Sequence, residues 1–229
     1  MKMIIILLFL LMNYSHLNSN IWEETFFSSP DLPKDIECYD NNNCYILTDY
    51  ASGGSETRIY KTTDAGASWE LLNSIKELEV QDMSVPDSNN IYIAFNNGKT
   101  YHSIDAGKSF TDFRLDSVHS FPYMIMSNEL IGAITNAYII PNIFYILITK
   151  DGWKTYNKLT LDRDKIRFSF HYPRFINDSM LYAIVRVFDQ REPQYQEPPV
   201  DKPRISGHIN NSFMKLNINT LDYELFYID

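Results

Sequence analysis

Apolar residues in this chain come in short runs bounded by Asp, Asn, Ser and Gly, and the runs arrive in pairs. Residues 36–39 and 44–49 enclose Asp40-Asn41-Asn42-Asn43, and 81–85 and 91–95 enclose Pro86-Asp87-Ser88-Asn89-Asn90. Further on, 121–126 and 130–135 enclose Ser127-Asn128-Glu129, and 168–176 and 180–188 enclose Asn177-Asp178-Ser179. Runs of this length split by turn formers predict antiparallel strand pairs. A last pair, 213–218 and 223–228, is joined by Asn219-Thr220-Leu221-Asp222. Between 189 and 208 stands a polar stretch with Pro193, Pro198, Pro199 and Pro203. Proline cannot donate to a strand ladder, so this stretch reads as a loop inserted between two strands of the fourth unit.

A repeat overlies these pairs. Thr62-Thr63-Asp64-Ala65-Gly66-Ala67-Ser68-Trp69 recurs as Ser103-Ile104-Asp105-Ala106-Gly107-Lys108-Ser109-Phe110. It recurs again as Thr149-Lys150-Asp151-Gly152-Trp153-Lys154-Thr155-Tyr156, where Gly152 comes one position early and Trp153 takes the usual glycine place. The aspartates are 41 and 46 residues apart, a period that fits one four-stranded unit. From Asp151 to Asn219 is 68 residues, and removing the inserted loop restores the period.

The pattern Ser/Thr-x-Asp-x-Gly-x-Ser/Thr-aromatic resembles the Asp box, or BNR repeat. Its family contains sialidases, sortilin-type receptors, xyloglucan-cleaving enzymes and photosystem II assembly-factor-like propellers. The resemblance implies an all-β fold, a β-propeller of four-stranded antiparallel blades with about four blades present. Each residue type has a physical role in the turn. The carboxylate accepts N–H groups of its own turn, and Gly takes the positive φ that closes it. The Ser/Thr hydroxyl joins that network, and the aromatic opens the next strand and buries its ring between blades. Asp64, Gly66, Trp69, Asp105, Gly107, Phe110, Asp151, Gly152 and Tyr156 are accordingly expected to be structural. Ile21-Trp22-Glu23-Glu24-Thr25-Phe26-Phe27 resembles the strand after a box, compare Trp69-Glu70-Leu71-Leu72. Four units plus a spare strand do not close neatly, so an incomplete or truncated propeller is expected, with an unusual small ring as the alternative.

Composition sharpens the reading. Aromatics are 14% of the 229 residues, with 16 Tyr and 14 Phe, which favours pleated surfaces. A net charge of −9 argues against a nucleic-acid partner, since phosphate binding rests on Lys and Arg. Lys2 followed by an apolar run over 3–12 and a polar stretch over 13–20 reads as a signal peptide, residues 1–19, ahead of a domain over 20–229. That run is too short to span a bilayer, and no integral membrane segment follows it. The expected location is secreted or periplasmic. Cys38 and Cys44 flank a turn symmetrically and are expected to pair there, with two buried thiols as the alternative.

No catalytic, metal or cofactor site stands out. Resemblance to sialidases would imply three arginines on a carboxylate, a Tyr–Glu nucleophile pair and an acid Asp. Arg58-Ile59-Tyr60 lacks the proline of the family's arginine motif, and Arg114, Arg163, Arg167, Arg174 and Arg186 show no selective spacing. Asp178, Asp189, Glu192 and Glu197 are acids near the insertion, suited to paired-carboxylate glycan hydrolysis only by location. His102, His119, His171 and His208 have no ligand spacing. The sequence therefore points to a binding scaffold for a protein or glycan ligand, with a carbohydrate-active hydrolase as the alternative. The insertion, with Tyr195 in it, and the loop over 51–57 are the expected binding loops.

Overall fold

The computed structural model describes residues 27, 29, 31–49, 56–77, 79–115, 122–136, 145–160, 166–189 and 209–227. The leader at 1–19, the strand expected over 21–26, the loop at 51–55 and the insertion at 190–208 lie outside the described residues, as do His119, Arg163, Glu192, Tyr195, Glu197 and His208.

Sixteen strands are described. They are β1 (Leu32–Cys38), β2 (Cys44–Asp49), β3 (Thr57–Thr62), β4 (Glu70–Ile75), β5 (Val80–Ser84), β6 (Ile91–Phe95), β7 (Lys99–Ser103) and β8 (Thr111–Arg114). Then come β9 (Pro122–Met126), β10 (Gly132–Asn136), β11 (Tyr145–Thr149), β12 (Asn157–Thr160), β13 (Ile166–Asn177), β14 (Met180–Asp189), β15 (Ile209–Asn217) and β16 (Tyr223–Tyr227). They form four antiparallel sheets of four consecutive strands, each a simple meander. The chain divides into two compact units, Met1–Leu78 and Glu79–Asp229.

In the first unit, β2 is buried at five successive positions, Cys44 to Thr48, whereas β4 is buried only at Ile75. A strand buried at every position is covered on both faces, because successive side chains point to opposite sides of the pleat. β1 begins earlier than the apolar pattern suggests and carries Pro33 at an irregularity between Pro33 and Asp35, where a missing N–H costs no ladder bond. Cys38 and Cys44 are register partners and form a disulfide. Beside it, Asp40 Oδ1 accepts the N–H groups of Asn42 (2.8 Å) and Asn43 (2.7 Å).

The second unit holds the other three sheets. β5 packs against β9, and β9 against β13. One apolar layer joins the first pair of sheets: Tyr92 and Ala94 meet Met124, Met126, Ile134, Tyr145 and Leu147. A second joins the next pair: Ala133, Ile146 and Ile148 meet Leu181, Ala183, Val185, Met214 and Leu216. The middle sheet feeds both layers, since Ala133 and Ile134 point opposite ways, as do Ile146 and Leu147. β5 also serves β9 through side chains: Asp82 Oδ2 accepts the Met124 N–H (2.7 Å) and Ser84 Oγ accepts the Met126 N–H (2.9 Å). These N–H groups lie on an otherwise open strand edge, which must be satisfied or covered. β10 starts later than its apolar run, because Asn128 Oδ1 holds the N–H groups of Leu130 and Ile131 (2.9 Å each) in the turn.

The Cys38–Cys44 bridge spans a sequence separation of 6. So short a loop limits its chain-entropy contribution to about 2 kcal/mol. A Cys38→Ser/Cys44→Ser variant should lose about that much unfolding free energy in a urea titration of the oxidised proteins. An unchanged value would show that the Asp40 turn alone keeps the two strand ends together in the unfolded chain.

Candidate functional site

The three repeat turns share one geometry. In the first, the Thr62 hydroxyl donates to Asp64 Oδ1 (2.7 Å) while its oxygen accepts the Gly66 N–H (2.9 Å). Asp64 Oδ1 also accepts the Ser68 N–H (2.9 Å), and Oδ2 accepts the Ser68 hydroxyl (2.6 Å). Ser103, Asp105, Gly107 and Ser109 repeat these contacts at 2.8, 2.8, 2.9 and 2.6 Å. Thr149, Asp151 and Thr155 repeat the carboxylate contacts at 3.0, 2.9 and 2.6 Å. Donation by Ser68, then by Thr62, holds the Asp64 carboxyl down at about 2. Ser109 and then Ser103 hold Asp105 at about 2, and Thr155 lowers Asp151. Each carboxylate is thus occupied by its own turn.

Two successive residues in each turn have positive φ. The pairs are Ala65 (58°) with Gly66 (90°), Ala106 (61°) with Gly107 (85°), and Gly152 (70°) with Trp153 (69°). The first of each pair donates its N–H to the neighbouring strand turn: Ala65 to Asn42 O (3.0 Å), Ala106 to Asn89 O (2.9 Å) and Gly152 to Leu130 O (2.9 Å). The inversion in the third turn has a physical reason at both positions. A Cβ on Gly152 would stand 3.1 Å from Glu129 O, tighter than most contacts allow. Trp153 keeps the N–H bond to Thr149 Oγ1 (2.9 Å) and drives its ring into the layer between the first two sheets of its unit, 6% exposed. Its indole N–H donates to Met126 Sδ (3.1 Å). Any Cβ on Gly132 would run into that same sulfur, so this glycine makes room for it.

Trp69, Phe110 and Tyr156 stand immediately before β4, β8 and β12 and are half-buried. Trp69 packs edge-on against Phe27, and Tyr156 against the layer that holds Trp153.

The most developed polar cluster lies at the same end of the second unit. The His102 ring stacks flat on Tyr92, with centroids 3.9 Å apart and planes at 9°. His102 Nε2 pairs with Asn90 Oδ1 (2.9 Å), and Asn90 Nδ2 donates to both oxygens of Asp87 (3.1 and 2.9 Å). Burial lowers the His102 pKa, partly opposed by the Asp87 charge. Burial, then Asp87 and Glu129, pushes Tyr92 up to about 12, and its hydroxyl donates to Glu129 O (3.0 Å). The strand pairing Tyr92↔His102 brings these groups together, which spacing alone does not reveal. The Asp-x-Asn-Asn string shared by Asp40 and Asp87 was the available signal for their turns.

Among the described residues, Asp178, Arg58, Arg114 and Arg174 each hold partners of their own. Asp178 lies in the β13–β14 turn, at the opposite end of β14 from Asp189, and accepts from Ser127 Oγ (2.6 Å) and Asn128 Nδ2 (2.9 Å). Its partners are turn residues of the preceding sheet, which corrects the grouping of Asp178 with the insertion. Arg58 pairs with the buried Asp31 (3.1 Å) and with Glu56 (3.0 Å). Arg114 donates to Asn97 O (3.1 Å) and Arg174 to Pro173 O (3.0 Å). Among the described residues, no group of three or more His, Cys, Asp or Glu side chains could hold a metal ion.

Two outcomes follow from the turn geometry. The depressed Asp64 and Asp105 pKa values mean that their contribution is complete above the unfolded carboxyl value, about 4, and is lost as pH falls toward 2. Asp64→Asn and Asp105→Asn should therefore unfold earlier than the parent at pH 6, with the gap narrowing steadily below pH 4 in thermal melts. A pH-independent gap would refute the carboxylate clamp. For the third turn, Trp153→Ala should cost about 3–5 kcal/mol by emptying the layer. Trp153→Gly should cost about 1 kcal/mol less than Trp153→Ala, reversing the usual order, because glycine accepts the positive φ. Denaturant titration of both variants decides this.

No family model matches the sequence, and no curated protein does. Among solved structures, the chain is similar to a GH74 enzyme of Niastella koreensis, at 17% identity and a TM-score of 0.52 over 84% of this chain. It spans only 30% of that enzyme's length. It is also similar to YCF48 bound to D1 peptide, at 14% identity and a TM-score of 0.53, covering 92% of this chain and 73% of that one. YCF48 from Cyanidioschyzon merolae matches at 11% identity and a TM-score of 0.51, covering 88% and 74% respectively. At such identities the likeness is one of fold: this is an all-β chain of the β-propeller class, made of four-stranded antiparallel blades.

Proposed function

We propose that this chain is an exported Asp-box propeller that acts as a binding scaffold for a protein or glycan, without cofactor or chemistry of its own. The observation that carries this reading is the commitment of Asp64, Asp105 and Asp151 to their own turns. The repeat's acids are thereby withdrawn from acid–base or nucleophilic work, which requires a carboxylate within reach of substrate. Arg58, Arg114 and Arg174 hold separate partners, which supports the same conclusion for a sialidase-type grip. The fold neighbour YCF48 is bound to a peptide, and this favours an extended protein segment as the first ligand class to test. Export is supported by the apolar run after Lys2 and by the Cys38–Cys44 bridge, since disulfides persist in oxidising compartments.

The chain expressed with its leader should begin between about residues 16 and 21, because cleavage follows closely on the apolar run. The purified product should bind saturably on a peptide or glycan array and release no reducing sugar from the glycans it binds. Sugar release proportional to protein concentration would overturn the scaffold reading in favour of a glycoside hydrolase.

A further inference from the structure

The sheet of β1 to β4 carries a short segment of its own chain on one face. Strand pairing puts Ile46, Thr48, Arg58 and Tyr60 on that face, since Ile46 is the register partner of Tyr60 and Thr48 that of Arg58. The segment just ahead of β1 touches it through Phe27, Ser29 and Asp31. The Phe27 ring stands edge-on to Tyr60, with centroids 4.8 Å apart, and edge-on to Trp69 at 6.0 Å. Ser29 Oγ, the Tyr60 hydroxyl oxygen and Asp31 Oδ2 lie within 3.0–3.2 Å of one another. Arg58 Nη1 donates to both oxygens of Asp31, at 3.4 and 3.1 Å. Contacts at every second residue are those of an extended segment laid on a surface, because such a segment presents alternate side chains to one side. Phe27 and Asp31, 8% and 5% exposed, are its anchors.

The receiving side is set by the blade and not by the segment. Glu56 Oε1 accepts the Arg58 Nε–H (3.0 Å), which orients the guanidinium, and Tyr60 and Trp69 are held by β3 and the first repeat turn. A guanidinium oriented in this way selects a carboxylate, because an uncharged or basic residue at that place forfeits a charge-assisted pair. We propose that this face is a peptide groove, occupied in cis by residues 27–31 and specific for an aromatic residue followed four positions later by a carboxylate. The chain's own segment acts as a latch, and a peptide of the same pattern enters once the latch is weakened. Attachment to β1, which starts at the next residue, Leu32, gives the latch an effective concentration on the order of millimolar, so free peptide at micromolar concentration does not displace it. The groove is separate from the scaffold role: a chain that bound only glycans would still hold its own segment here.

The probe is a fluorescent peptide of residues 25–33, titrated with the protein over about 1–300 μM and followed by anisotropy. The parent should leave the peptide free, whereas Phe27→Ala/Asp31→Ala should bind it saturably. Adding Arg58→Glu to that variant should weaken binding about tenfold, and a peptide carrying Asp31→Arg should recover it, because opposite charges meet again. Circular dichroism and thermal melts establish that each variant is folded. If the double variant is not, Asp31→Asn decides alone: it keeps Phe27 and should take up peptide where the parent does not. A parent that binds the peptide as tightly as the latch variants would overturn occupancy in cis. A folded latch variant that binds no peptide, or binding indifferent to the exchange at Arg58, would overturn the groove.

Discussion

Strands buried on both faces govern this architecture. β6 and β11 are buried at every position, and apolar at all of them except Thr149 at the end of β11. A strand of that kind needs apolar cover above and below its sheet, so no single four-stranded meander suffices. Stacking is the solution, and the middle sheet of the second unit shows it most plainly, since each of its central strands sends alternate residues into two different layers. The magnitudes assign the roles. Each fully buried Leu, Ile or Met contributes about 1.5–3 kcal/mol, against about 1 kcal/mol for a net hydrogen bond in a turn. The layers therefore supply most of the stability, and the turns supply something else.

That something is register. A slip of one residue would send every layer residue to the wrong face of its sheet. The carboxylate turns oppose slippage by fixing where β3, β7 and β11 end, and the Asx turns fix where β2 and β6 begin. One backbone bond then ties the two kinds of turn together in each of three sheets, from Ala65, Ala106 and Gly152. Asp82 and Ser84 extend this control between sheets by holding two N–H groups of β9. Polar side chains here place strands that apolar side chains then hold.

Much of this was legible in the chain. β2 and β6 match their apolar runs because an Asp-x-Asn-Asn string marks where each begins, and a disulfide was inferable once Cys38 and Cys44 were seen to flank such a string. Where the apolar pattern misled, a side chain had captured the backbone: Leu130 and Ile131 look like strand but belong to the Asn128 turn. Sequence order alone sets Asp178 beside the insertion, but proximity in sequence hides strand direction, and a ten-residue strand carries the chain to the opposite end of the sheet. The Tyr92–His102 stack needed a register that composition does not contain.

Function was the least legible part, and the repeat itself explains why. Its conspicuous acids are the residues that homogeneous turn chemistry demands, so they carry little information about any ligand. Specificity in a repeated fold resides where the pattern is broken, because there a side chain answers to something other than the turn. Trp153 breaks it by accepting a positive φ in exchange for burial beside Met126. His102 breaks it where the corresponding residues before the other two turns are Lys61 and Ile148. Phe213 and Phe226 break it by leaving aromatic rings on a face whose counterparts in the two preceding sheets are covered. Returning Trp153 to glycine empties part of a layer, whereas substitutions at the exposed Phe213 and Phe226 should leave the blades intact.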